Sequence, residues 1–183
     1  DAGRTLIQII DNGSGMTERD ARICFERHAT SKIRQAEDLY TIRTMGFRGE
    51  ALAAISAVAQ VELKTKIPGT DSGTRVKING SEFELQEPVA CADGTSISIR
   101  NLYYNVPARR KFLKANSTEI KHIITEFQRI ALAHHDLSFL LNHNDSEVYN
   151  LPAERLPERI QHLFGKAMAQ QLVNVRTETS VMA

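Results

Sequence analysis

Between Val61 and Arg100 the chain repeatedly alternates apolar and polar residues, and a period of two constrains a fold more tightly than any other local pattern here. Val61, Leu63, Thr65 and Ile67 alternate with Glu62, Lys64 and Lys66. Successive strand side chains point to opposite faces, so one set faces a core and the other faces water. The stretches "TRVKI" (74–78) and "SEFEL" (81–85) flank Asn79-Gly80, a dipeptide suited to the positive φ angles of a tight hairpin. "TSISIR" (95–100) alternates again after Asp93-Gly94. Tight turns join antiparallel neighbours, so the middle of the chain is predicted to be antiparallel sheet rather than βαβ crossovers.

Elements of other kinds surround this block. "TLIQII" (5–10) is a β-branched run ending in the turn composition "DNGSG". Thr17 with Asp20 forms a capping pair for a helix, and Met16, Ile23, Cys24 and Phe25 give it an apolar stripe that ends near Arg27. Residues 28–45 read mostly as a loop with a short helical piece near 37–44, and Glu50 to Val58 as a helix of small residues. A helix from about Glu119 to Ala133 carries Ile120, Ile123, Ile124, Phe127, Ile130 and Ala131 on one face. Residues 137–151 read as a last hairpin. Pro152 and Pro157 bracket a composition break, a helix from Glu158 to Phe164 stops at Gly165, and "LVNVRTE" follows. The expected fold is α+β: a two-layer sandwich of a mixed, largely antiparallel sheet with helices on one face, spanning 1–151. Residues 152–183 are expected to begin a second α/β domain.

Composition removes some classes of function. The chain has 183 residues, 42% hydrophobic and 25% charged, and no apolar run approaches the roughly 18 residues of a membrane span. No basic-then-apolar leader is visible, although the chain does not begin with Met. Cys24 and Cys91 stand far apart, without a second Cys or His at metal-ligand spacing, which suits reduced thiols in a cytoplasm. The six His are scattered, so no metal site is expected. A net charge of +1 says nothing about nucleic acid, so that question rests on local clusters.

Four segments contain residues suited to chemistry. In "DNGSGM" (11–16) a strand ends in Asp11, with Gly13 and Gly15 allowing a flat ligand close to the backbone; alone, this is also an ordinary turn composition. In "GFRGEAL" (46–52), Gly46 and Gly49 precede a helix start, whose N–H groups and dipole favour an anion, and Arg48 adds a fork suited to phosphate. No Gly-Lys-Ser/Thr follows, so this is not a Walker loop; the plain alternative is a loop-to-helix junction capped by Glu50. "HATSKI" (28–33) puts Thr30, Ser31 and Lys32 in a row, either a lid over phosphates or a solvated polar loop. "NLYYNVPARRKFLK" (101–114) clusters Arg109, Arg110, Lys111 and Lys114, either a phosphate-backbone contact or a solvated face.

Taken in order, DNGSGM, RHATSKI, GFRGEALAAIS, DGTS and NLYYNVPARRKFL resemble the MutL family of DNA mismatch-repair proteins, closely over about residues 4 to 143. That family shares the GHKL, or Bergerat-type, ATPase fold with type II topoisomerase subunits, heat-shock chaperones and histidine kinases. GFRGEAL and YNVPARRKF are the segments that separate MutL from those other branches. The resemblance implies that Asp11 accepts from the adenine amino group, that Gly13 and Gly15 let the base lie close, and that Thr95 supports the same contact through water. It implies that Thr30, Ser31 and Lys32 lie in a lid, and that the backbone of Gly46, Phe47, Arg48, Gly49, Glu50, Ala51 and Leu52 cradles the phosphates of ATP, bound with Mg²⁺. It further implies contacts to DNA, to a mismatch-recognition protein and to downstream repair factors, with a homodimer forming through the N-terminal domain when nucleotide is bound.

One departure from the family pattern bears on catalysis. In the family, an upstream helix carries the general-base Glu and a Mg²⁺-binding Asn before an Asp-Ala-Gly, and a strand separates that motif from DNGSGM. Here Asp1-Ala2-Gly3 precedes Asp11 by only ten positions, so it is expected to be a hairpin turn that mimics the motif. No catalytic or metal-ligating residue is therefore assigned, and the 183 residues alone are expected to release no phosphate. The family's γ-phosphate Lys, contributed by its transducer-like second domain, is expected beyond residue 183. Two alternatives share the fold: a non-hydrolysing DNA-binding and docking scaffold, and another ATPase of the same superfamily.

Overall fold

The computed structural model describes residues 1–33, 36–42, 44–173 and 175. It divides into two compact units, one holding Asp1 and Gly3–Lys114, the other Ala2 and the residues from Ala115 onward. The expected boundary at 151/152 falls inside the second unit. Of the expected segment "LVNVRTE", Asn174 and 176–178 lie outside the described residues.

The first unit is built on a five-stranded sheet of β1 (Leu6–Asp11), β2 (Gln60–Lys66), β3 (Gly73–Asn79), β4 (Glu82–Val89) and β5 (Gly94–Arg100), in the order β1-β5-β2-β3-β4. Every pairing among the described residues is antiparallel. The alternation seen in sequence is obeyed: Val61, Leu63 and Thr65 are buried on β2, with Glu62 and Lys64 on the other face. That outer face is polar. Arg75 Nε donates to Glu62 at 2.9 Å and its Nη1 to Glu87 at 3.0 Å. Burial alone would raise the Glu62 carboxyl, but its hydrogen bond from Arg75 and the charge of Lys64 outweigh this and hold it below the ordinary value. A face carrying such pairs stays in water, so the helices pack on the other side.

Those helices are short. α1 (Glu18–Ile23) starts at Thr17, whose Oγ1 accepts from Asp20 N–H at 3.0 Å, the expected cap. It ends sooner than Arg27. A 3-10 turn follows over Ala36–Thr41, and α2 (Ala51–Ser56) lies on β2. Ala21, Phe25, Val61, Leu63, Val76, Ile78 and Ile99 form one core, with Leu52 and Ile55 packed against it. Burying a side chain as fully as Leu63 contributes about 2 kcal/mol. The β3–β4 hairpin turns on Gly80 and Ser81, at φ 56° and 72°, because Asn79 is still paired with Glu82. The tight turn is thus one residue later than the Asn-Gly reading. At the chain start, Arg4 N–H donates to Asp1 O at 3.1 Å, with Ala2 and Gly3 at φ 49° and 80°. Two adjacent positive φ values make the hairpin-type turn expected there.

The second unit holds α4 (Asn116–Ala133), a hairpin of β6 (Phe139–His143) and β7 (Ser146–Leu151), α5 (Leu156–Phe164) and α6 (Lys166–Ala169). Phe127 of α4 stacks on Tyr149 at 5.5 Å and meets Phe139 edge-on at 6.0 Å. Arg159 of α5 is fully buried. It donates to Glu154 at 2.9 Å and to the carbonyls of Ala131, His135, Leu137 and Pro152. Carbonyls at the end of α4 and in the following loop have no helical partner, and this guanidinium satisfies them.

Candidate functional site

Asp11 ends β1 opposite Thr95 of β5, and Thr95 in turn lies opposite Thr65 of β2. Three strands therefore place three oxygen-bearing side chains in one cross-strand row. Asp11 is exposed; its Oδ1 accepts from Gly13 N–H at 2.9 Å. That Asx turn leaves Oδ2 without a donor among the described residues, directed by a strand end rather than by a mobile loop. A cleft of about 310 Å³ opens beside the row, lined by Met16, Thr17, Thr65, Lys66, Thr70 and Thr74.

Two glycines beside this row are required by the protein's own backbone. A Cβ on Gly15, at φ 64°, would lie 2.1 Å from the Lys66 carbonyl oxygen; one on Gly94, at φ 98°, would lie 2.1 Å from the Asp11 carbonyl oxygen. The glycines thus bring the ends of β1, β2 and β5 together. Gly13 is less confined, with the Asp11 carboxylate 2.9 Å from its would-be Cβ.

The second cluster joins "HATSKI" to "GFRGEAL". His28 N–H donates to Gly49 O at 3.0 Å, and a Cβ on Gly49 would lie 2.4 Å from Ala29 O. Here φ is 66°, so Gly49 meets both a conformational and a packing demand. Gly46 has nothing within 4 Å of its would-be Cβ. Thr30 Oγ1 accepts from Lys32 N–H at 3.1 Å, and Ser31 and Lys32 are exposed. Glu50 occupies the cap position of α2, but its side chain makes no capping bond; it lies 3.8 Å from His28 Nδ1 instead. Ala51 and Leu52 start the helix, Phe47 is half-buried, and the Arg48 guanidinium lies 5.4 Å from the Phe47 ring centre.

The basic run behaves differently. Arg109, Arg110 and Lys111 lie on α3 (Pro107–Phe112), a helix not anticipated from the sequence although Pro107 in its first turn is a recognisable start signal, and Lys114 follows it. All four are exposed. Tyr103 N–H donates to Val58 O at 2.7 Å and Asn105 Nδ2 to Ala57 O at 2.9 Å, which ties this segment to the Arg100 end of β5. β5 has seven residues, so Thr95 and Arg100 are separated by nearly its whole length, about 17 Å at 3.4 Å per residue. The structure therefore sets the basic helix apart from Asp11 and Thr95. Burial pushes the Cys24 thiol up to about 12, and its Sγ–H donates to Ala21 O at 3.3 Å.

The sequence matches no protein-family model. It is 59% identical over 182 residues to the DNA mismatch repair protein MutL of Bacteroides fragilis, 56% to that of Phocaeicola vulgatus and 51% to that of Flavobacterium psychrophilum, with 100% of this chain covered each time. The chain belongs to the MutL family. It spans 29% to 30% of the length of those relatives. The fold agrees with this placing. The Aquifex aeolicus MutL ATPase domain complexed with ADP is 26% identical and superposes with a TM-score of 0.68, covering 87% of this chain and 57% of that one. The N-terminal domain of a DNA repair protein superposes at 0.71 with 20% identity, over 90% and 49%. This MutL-family segment thus has the GHKL-type ATPase fold. Among its described residues no helix is long and apolar enough to cross a membrane. Thr65 was visible in the sequence only as an inward-facing strand position; a hydroxyl among inward Val and Leu was the available signal.

Proposed function

We propose that this segment binds ATP in a MutL-type mismatch-repair protein, with the base at Asp11 and Thr95. The observation that carries the reading is the cross-strand pairing of those two residues, which sets a carboxylate and a hydroxyl side by side at strand ends, next to Thr65, which lines a cleft. An acceptor pair of this kind suits an exocyclic amine. Gly13 and Gly15 let the base approach, the backbone from Gly46 to Leu52 holds phosphates with Arg48 near, and Thr30, Ser31 and Lys32 cover them. Support for the last two assignments comes from the His28–Gly49 hydrogen bond, which holds the two segments together.

Among the described residues no three His, Cys, Asp or Glu side chains converge on a common point. In the whole protein Mg²⁺ would accompany the nucleotide and supply charge neutralisation at its phosphates. In the whole protein, nucleotide binding and slow hydrolysis would drive dimerisation and signalling from mismatch recognition to strand processing in the cytoplasm. Residues 152–183 would open its transducer-like second domain, and α3 would meet DNA.

Asp11→Asn tests the base assignment, because it puts a donor where an acceptor is needed. Titration calorimetry on the protein of full family length is expected to show the preference for ATP over GTP falling by about tenfold. Equal loss for both nucleotides would make the carboxylate structural only.

A further inference from the structure

We propose that Thr65 is a positioning residue that sets base specificity, by consuming the Thr95 proton and making Thr95 an acceptor toward the ligand. The inference rests on the nucleotide reading above. Thr65 is completely buried, inward on β2. Its Oγ1 accepts from Met16 N–H at 2.9 Å, donates to Gly94 O at 3.0 Å and lies 3.0 Å from Thr95 Oγ1.

Proton counting decides the direction of the third bond. A hydroxyl has one proton and two lone pairs. The Gly94 carbonyl can only accept, so it takes the Thr65 proton; the Met16 N–H occupies one lone pair. The remaining lone pair must accept from Thr95. Thr95 then has no proton left for a ligand and presents lone pairs, alongside an Asp11 carboxylate that is also acceptor-only when ionised. Two acceptors at neighbouring strand positions favour an exocyclic amine over an exocyclic oxygen. A 6-amino group brings two protons to the pair, whereas a 6-oxo purine sets an acceptor oxygen against it and offers only its single N1 proton. The same Thr65 bond to Met16 anchors the loop that carries Gly13 and Gly15, so the hydroxyl fixes both the wall and the polarity of the base pocket.

The test compares ATP with inosine triphosphate, which replaces the 6-amino group by a 6-oxo group. Dissociation constants for both, with melting temperatures, are measured for the protein of full family length carrying Thr65→Val and Thr65→Ser. Thr65→Val removes the hydroxyl at nearly constant volume, freeing the Thr95 proton to donate. The wild-type preference for ATP is expected to shrink about fivefold or more in Thr65→Val and to persist in Thr65→Ser. If Thr65→Val does not fold, Thr65→Cys, a weak hydrogen-bonding group of similar size, takes its place with the same expectation. A merely structural hydroxyl would weaken both nucleotides equally; an unchanged ratio would overturn the inference alone. A wild type that binds neither nucleotide, or both alike, would overturn the nucleotide reading and this inference with it.

Discussion

Gly15 and Gly46 are indistinguishable in composition yet opposite in consequence. Gly15 has φ 64° and faces the Lys66 carbonyl at 2.1 Å from a would-be Cβ, whereas Gly46 has open space. Gly15→Ala is expected to destabilise the chain by about 2 kcal/mol or more, because the added carbon meets backbone that cannot rotate away and must also adopt a left-handed conformation. Thermal unfolding of Gly15→Ala beside Gly46→Ala checks this, the second serving as the mild control. An unchanged melting temperature for Gly15→Ala would show that the loop rearranges. Gly49 resembles Gly15, so Gly49→Val is expected to displace the Ala29 backbone, and with it Thr30 to Lys32. Calorimetric titration with ATP is expected to show weaker binding for that variant.

Among the elements, α5 depends on one side chain. Arg159→Ala would remove the donor to the Ala131, Leu137 and Pro152 carbonyls, leave His135 O only its bond from Glu154 N–H, and take the guanidinium from Glu154, at a cost of about 3 to 5 kcal/mol. Burial by itself would raise the Glu154 carboxyl, but the hydrogen bonds from His162 and Arg159 outweigh that and hold it below its ordinary 4.5. The sign follows directly. A lowered carboxyl stabilises the fold above the unfolded-state value and loses that contribution as pH falls through the folded one. Denaturant unfolding at pH 7 and below pH 4 is therefore expected to show the gap between wild type and Arg159→Ala narrowing in acid. A gap independent of pH would assign the whole effect to the carbonyls. The helix had been legible from its stop at Gly165, which stands at φ 89° where α5 ends. The buried arginine had not, since its partners come from α4, the following loop and the residue after β7.

For the molecule as a whole, a net charge of +1 provides no general attraction to nucleic acid, so the proposed DNA contact rests on a local cluster, Arg109, Arg110, Lys111 and Lys114. Their exposure on and after α3, at the far end of β5 from Thr95, sets them away from the proposed base site. Lys111→Glu with Lys114→Glu is expected to weaken binding to a random duplex and to flatten its salt dependence by about two units of log–log slope, without changing base preference. Fluorescence anisotropy across a salt series checks it. Unaltered affinity at low salt would make the run a solvated face.

What the sequence by itself determined is local: five strands, four of them alternating, the Thr17 cap, the turn at Asp1 to Arg4 and the five segments that resemble MutL. Those features depend on side-chain period and on φ preferences within a few residues, which a sequence displays directly. The tertiary structure alone decided that β1 lies beside β5, so that Asp11 meets Thr95, and that Gly15 is pressed against Lys66. It also decided that Thr65 joins Met16, Gly94 and Thr95 through one hydroxyl. Pairing between distant strands is chosen by the burial of a whole sheet face, and a hydroxyl's direction by the donors and acceptors that packing brings within 3 Å of it. Neither is encoded at a fixed spacing along the chain.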